Sequence, residues 1–139
     1  MEEHMNLLKP WIGLFVCMVC LGALGASSVV AGTSSIDTEA EFASAVNSNS
    51  QPKVLLFTAD WCTYCHKIKP SFDTLANDYD GNADFYVVNF DGVEQTRNSY
   101  DVKYIPTMIF IQDGKEVDRV VGYAKESTLR TVFERNLSE

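Results

Sequence analysis

Four uninterrupted apolar residues, Val54-Leu55-Leu56-Phe57, stand just ahead of Cys62-Thr63-Tyr64-Cys65, and Ile68, Phe72, Leu75 and Tyr79 follow. An unbroken apolar run of this length is the pattern of a strand buried on both faces. The later residues fall at i, i+4, i+7 and i+11, the spacing of a helix with one buried stripe. The spacing predicts a helix from Cys62 to about Tyr79, kinked where Pro70 removes an N–H. A buried strand running into a helix, with two cysteines at the junction, demands a sheet covered on both sides.

The rest of the chain fits that demand. Gly32 to Ser35 reads as a short linker. Thr38-Glu39-Ala40-Glu41 is a capping box, and Phe42, Ala45 and Val46 continue it as a helix to about Asn47. Asn49-Ser50-Gln51-Pro52 breaks that helix. Ala83 to Phe90 is the next strand and Val93 to Tyr100 a short helix. Thr107–Ile111 and Glu116–Val121 are strands joined by Asp113-Gly114, a hairpin signal. Leu129, Val132, Phe133 and Leu137 form the apolar stripe of a last helix. The expected fold class is α/β, a central mixed sheet flanked by helices on both faces.

Residues 1–31 stand apart. Trp11 to Ala31 carries no charge and is about as long as a membrane-crossing helix. It also has the layout of a secretory signal, with Val29-x-Ala31 as a cleavage site and Met5, ahead of Lys9, as an alternative start. The segment is read as a signal peptide or N-terminal membrane anchor, and 32–139 as one domain exported or tethered outside the cytoplasm, in a periplasmic or comparable space. Cys17 and Cys20 lie in the apolar run and read as small hydrophobic filler. Asn136-Leu137-Ser138 spells a glycosylation sequon and reads as a chance match.

Composition narrows the partners. The net charge is −8, and the eleven Lys and Arg are scattered, which argues against nucleic acid as a ligand. The expected partners are proteins carrying thiols or disulfides, together with a redox partner protein. A monomer is expected.

The chemistry sits at the strand–helix junction. There the unpaired N–H groups and the positive end of the helix dipole favour a thiolate at Cys62. Cys65, one turn deeper, is close enough to form a disulfide with it. Helix-terminal C-x-x-C cysteines have pKa values of roughly 3.5 to 7, against about 8.5 for a free thiol. Cys62 is therefore the expected nucleophile and Cys65 the resolving thiol.

Phe57-Thr58-Ala59-Asp60-Trp61-Cys62-Thr63-Tyr64-Cys65 resembles the active-site segment of the thioredoxin family. Pro70 matches its helix-kinking proline, Ile105-Pro106-Thr107 its cis-proline loop, Gly114 its hairpin glycine and Gly122 the glycine before its last helix. The resemblance implies a thioredoxin fold and thiol–disulfide exchange. It further implies a cis Ile105–Pro106 bond against the disulfide, with substrate contacts from Trp61, Thr63, Tyr64, Ile105 and Pro106. No cofactor is expected beyond the Cys62–Cys65 disulfide itself. Trp61 is expected beside the site, in the core or at its edge. Ala59-Asp60-Trp61-Cys62 is also similar to periplasmic reductase modules of the disulfide-interchange family, which favours the reducing direction.

Two departures stand out. The family places a buried Asp where this chain has Leu56, and its companion Lys where this chain has Val87. Losing both is tolerable, because an apolar pair costs less than one unpaired buried charge. The proton acceptor for Cys65 is left open among water, Asp60 and His66, and slower resolution is expected. Thr63-Tyr64 replaces the usual Gly-Pro. Three rival readings exist. Cys62-x-x-Cys65-His66 spells a c-type haem attachment site, with Met108 as the second axial ligand. Zinc would have three ligands at best. A binding or chaperone module without redox turnover would ordinarily lack one of the cysteines.

Overall fold

The computed structural model describes residues 32–138; the segment 1–31, with the signal or anchor reading and Cys17 and Cys20, lies outside them. The element order is β1 (Thr33–Ile36), α1 (Glu39–Val46), β2 (Lys53–Thr58), α2 (Thr63–Asp78), β3 (Asp84–Asn89), α3 (Glu94–Ser99), β4 (Thr107–Gln112), β5 (Lys115–Val121) and α4 (Glu126–Leu137). The five strands form one sheet in the order β1-β3-β2-β4-β5. β1, β2 and β3 run parallel, while β4 and β5 run antiparallel. The mixed sheet with helices on both faces is the thioredoxin fold.

β1 corrects the linker expected at 32–35. Thr33, Ser34 and Ser35 carry no apolar alternation, and Ile36 alone of the four is buried. The strand exists because its backbone pairs with Phe85–Val88 of β3, a partner far along the chain that no local pattern announces. α2 also starts one residue later than its apolar spacing suggests: Cys62 is the N-cap and Thr63 the first helical residue.

β2 is central, and Val54 to Phe57 are completely buried. Their side chains alternate between two cores, as strand geometry requires. Val54 and Leu56 meet Phe72, Phe110, Leu129 and Phe133 on the α2–α4 side. Leu55 and Phe57 meet Phe42, Val88, Val93 and Ile109 on the α1–α3 side. The cap of α1 is the expected box: Thr38 Oγ1 accepts from the Glu41 amide, and Glu41 Oε2 accepts from the Thr38 amide. Asp113 and Gly114 have φ of 50° and 72°, the left-handed pair that a two-residue hairpin needs.

Helix α3 holds no buried residue and no side-chain cap of its own. Glu39 of α1 supplies the cap from outside. Its carboxylate accepts the amides of Gln95 and Thr96, at 2.7 and 3.2 Å, and the Thr96 hydroxyl at 2.5 Å. This ties the two helices that cover one face of the sheet.

Candidate active site

β2 delivers the chain to the sheet's C-terminal edge, where Ala59 is buried and the Cys62 amide donates to the Ala59 carbonyl at 3.1 Å. The turn presents Cys62 in extended backbone geometry, so that its sulfur faces the first turn of α2. The Cys65 amide donates to Cys62 Sγ at 3.2 Å. A side-chain acceptor on an N3 amide is an ordinary N-cap contact; here the acceptor is sulfur. Cys62 and Cys65 are joined as a disulfide with their Cα atoms 5.2 Å apart. Cys62 is 7% exposed and Cys65 2%, which leaves the first sulfur as the one an incoming group can reach.

The wall opposite is the Ile105–Pro106 loop. The bond is cis, as the resemblance implies, and the Ile105 carbonyl oxygen lies 3.9 Å from Cys62 Sγ. Ile105, half-buried, packs with Ala59, Cys62 and Cys65. The loop is held from below, since the Gly122 amide donates to the Pro106 carbonyl at 2.7 Å.

Trp61 is 67% exposed, so the core-packing reading does not hold. Its indole N–H donates to Asp91 at 2.8 Å, which pins the ring at the rim. Thr63 and Tyr64 are exposed on the first turn of α2. The Tyr64 ring lies 6.2 Å from that of Tyr123, and the Lys67 ammonium sits 5.1 Å from its centroid. Tyr104, beside Ile105, is the most exposed large apolar side chain among the described residues. Sequence reasoning missed Tyr104 and Tyr123 at this rim. The available signal was a large aromatic directly before the Ile105-Pro106 loop and another directly after Gly122, in stretches with no apolar periodicity to bury them.

The two departures from the family pattern are neighbours in space. Leu56 is paired across the ladders with Val87 on β3 and with Met108 on β4. Met108, the second axial ligand of the haem reading, is 1% exposed and packs in the core with Leu56, Phe72 and Phe110, and both cysteines of the motif are joined in the disulfide. Among the described residues no group of three His, Cys, Asp or Glu side chains could hold a metal ion. His66 is exposed on α2 and Asp60 exposed in the preceding turn. Asn136, the sequon residue, has its amide engaged by Asp118 and by the Val132 carbonyl.

The family model described as Thioredoxin matches residues 33–135. The chain is 38% identical over 100 residues to a thioredoxin of Staphylococcus epidermidis, covering 72% of this chain and 94% of that protein. A thioredoxin of Staphylococcus aureus is 39% identical over the same length, with the same coverage. Among solved structures, the reduced Schistosoma mansoni thioredoxin pre-protein superposes with a TM-score of 0.69 at 28% identity, over 76% of this chain and 98% of that one. The thioredoxin of Malassezia sympodialis gives 0.67 at 26% identity, over 77% and 91%.

Proposed function

This chain belongs to the thioredoxin family and is a dithiol–disulfide oxidoreductase, and on that premise we propose that Cys62 attacks and Cys65 resolves, on protein disulfides outside the cytoplasm. The observation that carries the assignment is the Cys65 amide 3.2 Å from Cys62 Sγ. A thiolate at Cys62 accepts that hydrogen bond and gains from the helix dipole, and both effects are strongest for a charged acceptor.

In the reducing direction the Cys62 thiolate attacks one sulfur of a substrate disulfide. A bond forms between Cys62 and that sulfur, and the other substrate sulfur departs as a thiolate. The Cys65 thiolate then attacks Cys62 Sγ, closing the intramolecular disulfide and releasing the second substrate sulfur with its electron pair. Two electrons pass from the Cys62–Cys65 dithiol to the substrate. Run backwards, the same steps oxidise a dithiol, so direction follows from the midpoint potential relative to the partner. The Ile105 carbonyl beside Cys62, with the Trp61, Thr63 and Tyr64 rim and the Pro106 loop, would hold an extended substrate segment at the sulfur. The domain needs no bound cofactor for these steps and would work as a monomer.

The extracytoplasmic assignment rests on the uncharged run Trp11–Ala31, as a cleaved signal or a retained anchor. Reduction of insulin by the full chain tests the chemistry. Cys65→Ser should trap a mixed disulfide on residue 62, whereas Cys62→Ser should trap none; the reverse pattern overturns the roles. Labelling of intact cells with a membrane-impermeant thiol reagent tests the location. Modification of Cys62 only after lysis would overturn it.

A further inference from the structure

Cys65 must lose a proton before it can attack, because the thiolate and not the thiol is the nucleophile. The residue is 2% exposed, and on the substrate side Ile105 and Cys62 cover it. Val87, Leu56 and Met108, side by side on the three neighbouring strands, bring no side-chain oxygen or nitrogen. One polar opening remains. A cavity of about 360 Å³ between the start of α2 and the ends of β1, β2 and β3 includes Cys65 in its wall, and Asp37, Asp60, His66, Lys69 and Asn89 line it with Val87. A polar, open space of that size holds several waters.

We propose that His66 takes the proton of Cys65 through water in this cavity, a step that rests on the resolving role assigned above. The imidazole gains the proton as the Cys65 thiolate forms. That thiolate bonds to Cys62 Sγ, the Cys62–substrate bond breaks, and the leaving substrate thiolate is protonated from solvent as His66 returns its proton to the cavity water. The choice of His66 over the carboxylates follows from proton affinities. An imidazole is a stronger base than a carboxylate and so takes a proton from a thiol at less cost.

Charged groups surround the cavity. Asp37 and Asp60 face the cavity from the β1–α1 and β2–α2 connections. Lys69 also lines it, with its ammonium held by Asp73 at 2.8 Å. Asn89 bridges the far wall by donating to Asp37 at 3.3 Å.

The test is a single turnover of the reduced full chain with an aromatic disulfide whose two thiolates absorb on release. The first phase reports attack by Cys62 and the second reports resolution by Cys65. His66→Gln should slow the second phase by roughly 100-fold or more near neutral pH, leave the first phase in place, and flatten the second phase's rise with pH. Added imidazole should restore it. Asp60→Asn should slow it less than His66→Gln does. An unchanged second phase in His66→Gln, failure of imidazole to rescue, or a larger loss in Asp60→Asn overturns the proposal. A wild-type chain with no second phase at all would instead overturn the resolving role of Cys65, and this inference with it.

Discussion

The Cys62 sulfur and the Cys65 amide are hydrogen-bonded at 3.2 Å, so the reactive atom is also the cap of the helix that carries its partner. Reactivity and helix stability share one acceptor. In the reduced chain, Cys62→Ser keeps an acceptor at the cap and Cys62→Ala removes it. The Ala variant should be less stable than the Ser variant by about 0.5–2 kcal/mol, read from urea unfolding with reductant present. Equal midpoints would mean the sulfur does not cap α2.

Gly92 lies where the β3–α3 connection meets the start of α1, and a Cβ there would overlap the carbonyl oxygen of Asp37. That neighbour is backbone and cannot swing away. Gly92→Ala should cost about 1–3 kcal/mol, measured as a lowered urea midpoint. An unchanged midpoint would show that the two connections separate freely.

Acid should loosen the α1–α3 face. Hydrogen bonding from the Thr96 hydroxyl, and then from the Thr96 and Gln95 amides, holds the Glu39 carboxyl below the ordinary range. Bonds from the Asp37 amide and from Thr38 do the same for Glu41. Both groups have folded-state values depressed below their unfolded ones. The stability they contribute is therefore present above the ordinary carboxyl range and is lost as pH falls through the depressed values. Glu39→Gln should lower the urea midpoint at pH 7 and weaken its fall on acidification. A parallel acid profile in wild type and variant would contradict this.

Leu56, Val87 and Met108 sit side by side on β2, β3 and β4, with Leu56 and Met108 buried and Val87 packed against the same core. Leu56→Asp places an unpaired carboxyl in that row and should destabilise by about 3 kcal/mol or more. Adding Val87→Lys should recover about 1 kcal/mol or more through the new pair. A double variant no more stable than Leu56→Asp would show that the two positions do not meet across the ladder.

The parts legible in the sequence were those with a strong local cause. The run Val54–Phe57, the Thr38–Glu41 box, the Asp113-Gly114 turn and the helical stripes each act over a few residues. The Cys62–Cys65 pair was legible because strand, cysteines and helix are contiguous. β1 was not, since Thr33-Ser34-Ser35 becomes a strand through pairing with β3. The rim position of Trp61 depends on Asp91, thirty residues away. Tyr104, Tyr123 and the cavity behind Cys65 are products of tertiary assembly, drawn from several elements at once.

The most direct measurement is the pH dependence of alkylation of the reduced full chain, with the modified residues located by peptide mass mapping. At mildly acidic pH, Cys62 should be labelled well ahead of Cys65, with a midpoint below the roughly 8.5 of a free thiol. If both cysteines react alike, with midpoints near that of a free thiol, the sulfur at the tip of α2 is not activated and the assigned roles fail.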